Sequence, residues 1–202
     1  MRIGVLALQG DFREHIAALR QLNVETVEVR LPKDLEGLDG IIIPGGESTT
    51  MTRLLKRYEL LEPLRALITD GLPAMGTCAG MIVLAKEAHG LDQESLEVMD
   101  ITVRRNAFGR QVDSFESDLA IPAIGSDPFH AIFIRAPLIE AIRPPARAIA
   151  TLEDGTVIAA QEGQMLALAF HPELTDDLRF HSYFLDLIAD KLQAVTAAGK
   201  SA

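Results

Sequence analysis

The chain has 202 residues, 48% of them apolar, which is enough to bury one sizeable core, and it carries a formal net charge of −10. That acidity excludes a nucleic-acid surface, whose affinity comes from clustered Lys and Arg that displace counterions. A single cysteine, Cys78, excludes an internal disulfide and a CxxC metal site, and it suits a reducing cytoplasm, where the chain is expected to reside.

The apolar run Arg2 to Leu8 is too short to span a bilayer and meets no cleavage-type site, so it predicts a first strand and no membrane contact. "DFREHIAALRQL" follows with Phe12, Ile16 and Leu19 at helical spacing, opened by Asp11 with Glu14 three residues on as a capping-box analogue. "ETVEVR" and "GIII" predict the second and third strands. "STTMTRLLKRYELLEPLRALITDG" predicts helix interrupted before Pro63, with Ser48 or Thr49 as its cap. "PAMG" predicts a short fourth strand, and "AGMIVLAKEAHG" a helix closed by Gly90. Alternating strands and helices with short connections imply right-handed βαβ units, hence an α/β fold with a mostly parallel sheet covered by helices on both faces.

The second half differs. "ARAIATLEDGTVIAAQEGQMLALAF" holds three strand-like runs divided at Asp154-Gly155 and Glu162-Gly163, an antiparallel hairpin region. "TDDLRFHSYFLDLIADKLQAV" predicts a terminal helix with acidic residues in its first turn, and residues 194–202 a frayed tail. No linker or repeat divides the chain, so one domain over residues 1–202 is expected.

Three features carry chemistry. "GTCAG" sets Cys78 where a strand ends and a helix begins, in the form of a G-x-S-x-G nucleophile elbow with sulfur for oxygen. Backbone N–H groups there favour a thiolate, and that of Ala79 can receive an oxyanion. The pentapeptide alone leaves open an inert buried cysteine. "LALAFHPEL" ends an apolar strand on His171, and an extended backbone through Pro172 would turn Glu173 to the same side as the imidazole. His15, His89, His130 and His181 read as structural or solvated residues. "IIIPGGEST" frees the backbone around Gly45 and Gly46 to approach a ligand and to complete an oxyanion hole, while matching no nucleotide-loop pattern. One Cys, one His and one Glu with no close ligand pair is poor metal spacing, so no metal and no cofactor are expected. A redox-sensing thiol is the non-enzymatic alternative, disfavoured because it needs no positioned base.

Together "PGGES", "GTCAG" and "HPE" resemble the class I, triad-type glutamine amidotransferase family. The segments "LALQGDFREH", "PGGESTTM", "RRNAFGRQVDSFE", "FIRAP" and "FHPELT" narrow the likeness to the glutaminase subunits of pyridoxal 5′-phosphate synthase, over nearly the whole chain. The resemblance implies hydrolysis of L-glutamine to glutamate and ammonia, with Cys78 as nucleophile, His171 as base and Glu173 as its orienting carboxylate. It implies glutamine contacts at Gly45, Gly46, Glu47, Arg105, Ile134 and Arg135, and oxyanion donors at Gly46 and Ala79. It also implies a separate synthase subunit of a large hetero-oligomer that receives the ammonia, and an oxyanion loop, at the peptide before Gly46, that docking rearranges.

Overall fold

The computed structural model describes residues 1–105 and 114–199, so most of the "RNAFGRQVD" segment lies outside the described residues. The first strands are β1 (Arg2–Leu6), β2 (Glu25–Val29), β3 (Gly40–Ile43) and β4 (Ala74–Thr77). Between them run α1 (Phe12–Gln21), α2 (Ser48–Arg57) and α3 (Leu61–Thr69); the break before α3 contains Glu59 at φ 56°, and Pro63 sits in the first turn of α3, where a missing N–H costs nothing. After α4 (Ala79–Leu84) come β5 (Ala85–His89), β6 (Met99–Arg104), β7 (Ser114–Leu119), β8 (Phe129–Ile134) and β9 (Leu138–Ile142). The meander β10 (Arg147–Thr151), β11 (Val157–Glu162), β12 (Met165–Leu168) and the helix α5 (Arg179–Gly199) complete the chain.

Ten strands form one sheet in the order β2-β1-β3-β4-β12-β11-β9-β6-β5, with β10 on β11, while β7 and β8 pair separately. The neighbours from β2 to β12 are all parallel; β11 reverses the direction and β5 pairs parallel to β6. This is the α/β architecture the sequence predicts, with its antiparallel second half. In β3, Ile43 pairs with Gly76 on the face that meets α4, whereas Gly40 abuts Ile188 and Phe184 of α5. Alternating residues of a strand face opposite sides, so α4 and α5 cover opposite faces. All four residues of β3 and of β4 are accordingly buried. Phe129, Phe133, Phe170 and Phe180 pack with centroids 4.9–5.7 Å apart and fasten the β7–β8 hairpin to the sheet and α5.

Three local expectations fail. "AGMIVLAKEAHG" is helical only to Leu84; Ala85–His89 is a strand, because it pairs with β6 and its polar side chains find partners there, Lys86 on Asp100 at 2.6 Å and Glu87 accepting from Thr102 at 3.0 Å. His89 therefore ends a strand. Helix α5 begins at Arg179, after the acidic pair; Asp177 precedes it and accepts from the Arg179 N–H at 3.0 Å. Asp11 makes no side-chain cap to α1. No helix among the described residues is long and apolar enough to cross a membrane.

Candidate active site

Sheet order assembles the site. Strand β4 lies between β3 and β12, with Thr77 opposite Leu168 and Gly76 opposite Ile43. Their carboxyl ends therefore bring Cys78, the residues after Leu168 and the Gly45-Gly46 turn to one edge, the ligand edge of a parallel sheet.

Cys78 takes φ 48° and ψ −103°, a left-handed conformation that a side chain enters at a cost of order 1–3 kcal/mol. Its N–H donates to the Leu168 carbonyl at 2.8 Å, and α4 starts at the next residue. The elbow closes because residue 80 is glycine: a Cβ there would stand 1.9 Å from the Ile43 carbonyl oxygen. The sulfur lies 3.8 Å from the carbonyl oxygen of Ile134 and shares its cleft with the His171 ring.

His171 is 3% exposed, its N–H held by the Ile132 carbonyl at 2.9 Å. Its Nδ1 donates to Glu173 Oε1 at 2.8 Å and stands 3.6 Å from Asp11 Oδ2, leaving Nε2 for the sulfur. The backbone from Pro172 to Leu174 is a single 3₁₀ turn, so Glu173 reaches the imidazole by a tight turn rather than along the extended segment the sequence predicts. Burial opposes protonation of His171, but the neighbouring Cys78 and the hydrogen bond and charge of Glu173 outweigh it and raise the imidazole to about 10. Burial pushes the Glu173 carboxyl up, against the pull of His171. Glu173 Oε2 forms no hydrogen bond among the described residues; His15 Nε2 stands 3.4 Å from it.

A cleft of about 490 Å³ opens over Cys78, lined by Asp11, Gly46, Glu47, Ser48, Ala79, Ile82, Arg105, Ile134, Arg135, Pro137 and His171. At its rim Arg105 donates to Glu47 at 2.8 Å, to Thr49 Oγ1 at 3.1 Å and to the Gly90 carbonyl at 2.7 Å. Glu47, and neither Ser48 nor Thr49, caps α2: its carboxylate accepts from the N–H groups of Thr49 and Thr50 at 3.1 and 2.6 Å. Burial works against ionisation of Glu47, but those two N–H groups hold its carboxyl at about 2. Arg135 is itself left-handed at φ 43°, so the cleft holds two strained residues that are not glycine. Among the described residues Asp11, His171 and Glu173 place ligand atoms within 4.8 Å of one another, but His171 Nδ1 is already committed to Glu173, and the group reads as a hydrogen-bonded imidazole between carboxylates.

A buried thiol, imidazole and carboxylate beside a cleft are groups that acyl transfer can use. Over residues 5–190 the chain matches the model of the SNO glutamine amidotransferase family. The chain belongs to that family. It is 60% identical over 188 residues to "Pyridoxal 5′-phosphate synthase subunit PdxT" of Moorella thermoacetica, covering 93% of this chain and all of the relative. The protein of the same name from Carboxydothermus hydrogenoformans is 55% identical over 192 residues, covering 95% of this chain and 100% of the relative. A solved glutamine amidotransferase superposes with a TM-score of 0.88 at 48% identity, over 93% of this chain and 98% of that one. Another solved glutamine amidotransferase, from Thermotoga maritima, shows the same fold at 17% identity and a TM-score of 0.59, over 97% of this chain and 85% of that one.

In this amidotransferase the residues singled out from the sequence converge. Gly46, Glu47, Cys78, Ala79, Arg105, Ile134, Arg135 and His171 line one cleft, and Glu173 stands behind the imidazole. Gly45 lies against the imidazole itself: a Cβ there would come within 2.3 Å of His171 Cε1. Sequence reasoning missed Asp11, read as a cap; His15 and His181, read as structural or solvated, are wholly buried behind the site. The signal for Asp11 was its place in the turn after the first strand, at the edge on which the other candidates fall.

Proposed function

We propose that the cleft hydrolyses L-glutamine through a Cys78 thioester and delivers the ammonia to a separate synthase subunit that makes pyridoxal 5′-phosphate. The observation that supports this reading is the 2.8 Å bond from His171 to Glu173 behind an imidazole that lines the same cleft as Cys78, itself at a strained elbow. The thiolate attacks the γ-carbonyl carbon, and the oxyanion is received by the N–H groups of Gly46 and Ala79. The C–N bond breaks as His171 gives its proton to the departing nitrogen, leaving ammonia and a glutamyl thioester. Water, deprotonated by the same imidazole, then cleaves the C–S bond and frees glutamate. Glu173 holds the imidazolium and its tautomer throughout.

Arg105 binds the substrate α-carboxylate and Glu47 its α-ammonium; their 2.8 Å contact keeps the two charges oriented before glutamine arrives. Ile134 and Arg135 line the cleft beside the thiol, and Gly45 sets the imidazole. The partner assignment rests on the relatives named as synthase subunits. The Gly45 carbonyl accepts from the Asp11 N–H at 3.2 Å, and docking acts on this peptide to set the Gly46 donor.

The test is glutamate release by wild type and Cys78→Ala, each with and without the synthase subunit of pyridoxal 5′-phosphate synthase from the same organism. Release that rises with the partner and vanishes in the variant is expected. Activity retained by Cys78→Ala overturns the nucleophile, and release indifferent to the partner overturns the coupling.

A further inference from the structure

Glu173 is a buried carboxylate with one oxygen on His171 and the other without a hydrogen bond among the described residues. Facing that second oxygen is His15 of α1, wholly buried, its Nε2 hydrogen-bonded at 3.1 Å to Thr77 Oγ1, the hydroxyl next to Cys78 in the chain, and 3.4 Å from Glu173 Oε2. Its other nitrogen, Nδ1, stands 3.0 Å from Nε2 of His181 on α5, which is also wholly buried. Neither histidine lines the glutamine cleft, so the proposed cycle leaves both without a role.

We propose that His15 is a positioning residue for the active site: its Nε2–H is shared between Thr77 Oγ1 and the free oxygen of Glu173, and His181 fixes the tautomer that places the proton there. The inference rests on the triad reading above. A carboxylate only accepts, so the nitrogen that serves it must carry the proton. His15 Nδ1 is then an acceptor and needs a donor at 3.0 Å, which makes His181 Nε2 the protonated nitrogen of that ring. The nitrogen left over, His181 Nδ1, then carries only a lone pair, and it is the atom that finds no partner among the described residues. Burial, together with the neighbouring His181 and His171, keeps His15 well below the ordinary imidazole range, and so neutral.

The consequence is electrostatic. Burial favours the neutral acid of Glu173, which could not hold an imidazolium; each N–H donated to the carboxylate favours its ionised form. The titratable groups facing His15 and its acceptor are His181 from α5, Glu173 and His171 from the segment after β12, and Asp11 at the start of α1, 3.6 Å from His171.

The test is glutamate release, in the presence of the synthase subunit, by His15→Met, His15→Gln and His181→Phe beside Glu173→Gln and Cys78→Ala. His15→Met, similar in length without a donor, is expected to lower kcat by about ten- to a hundredfold at unchanged KM for glutamine and to move the acid limb of the pH profile upward. His15→Gln, which carries an N–H near the ε position, restores most of kcat and the pH profile. Wild-type kcat and pH profile in His15→Met, with Glu173→Gln and Cys78→Ala inactive, overturn this inference and leave the triad standing; activity in the latter two overturns the triad instead. Wild-type protein supplies an independent reading through imidazole ¹⁵N shifts. His15 is expected as the neutral Nε2–H tautomer from about pH 6 to 9, and an Nδ1–H tautomer or a charged ring overturns the proposal whether or not the variants fold.

Discussion

Gly45→Ala isolates how closely the glycine turn must approach the His171 imidazole. Residue 45 does not have a positive φ, so alanine brings no backbone penalty and its effect is steric. The new methyl would lie 2.3 Å from His171 Cε1 and 2.9 Å from Nδ1, against an ordinary contact of 3.4 Å or more, so the ring or the turn must retreat by about 1 Å. The ring cannot slide freely, since its backbone is tied to Ile132 and its Nδ1 to Glu173 at 2.8 Å. A displacement of about 1 Å at a catalytic group costs about 10²-fold in rate, and overpacking a tight site costs about 1–3 kcal/mol of stability. For a chain of this length that stability loss lowers Tm by roughly 2–12 °C. The assay is kcat/KM for glutamate release with the synthase subunit, paired with a thermal melt. A variant that keeps wild-type kcat/KM would refute the idea that close approach of this turn holds His171 in register.

Acid lability should report the buried histidine pair. His181 is held by burial at about 4 in the fold against 6.5 in the open chain, so the unfolded state takes up its proton first as pH falls; the penalty grows below pH 6.5 and reaches about 3 kcal/mol near pH 4. His15, lowered in the same direction, adds to it. Urea midpoints measured from pH 7 to pH 4 should fall steeply in wild type and less so in His181→Phe; equal slopes would remove the pair as the cause. Glu47→Ala should cost about 1 kcal/mol through the lost cap on α2 and raise KM for glutamine, because Arg105 loses its 2.8 Å partner. A melt and a substrate titration separate the two effects, and an unchanged KM would place glutamine's α-amino group elsewhere.

Much of the fold is legible in local pattern. Short β-branched runs such as "GIII", Gly-bounded turns and the amphipathic spacing of Phe12, Ile16 and Leu19 identify β3, the hairpins and α1 without reference to their neighbours. "LAKEAH" misleads because its residues suit a helix and only the edge of β6 makes it a strand. Asp11 and Ser48 mislead likewise: capping is read from neighbours in sequence, yet Asp11 turns to His171, and the Glu47 carboxylate takes the N–H groups that Ser48 or Thr49 was expected to bind.

The amino-acid sequence alone determined which residue types stand at which turns: a cysteine between close-packed glycines, a histidine and a glutamate flanking a proline, and two glycines after a buried strand. Those choices are local, set by backbone conformation and side-chain chemistry within a few residues. Only the tertiary structure decided that β12 lies beside β4, which sets His171 against Cys78 across long sequence separation, and that α1 and α5 meet so that His15 and His181 stand behind Glu173. Strand order and helix packing follow from burying the whole sheet at once, and no window of sequence contains both partners of such a contact.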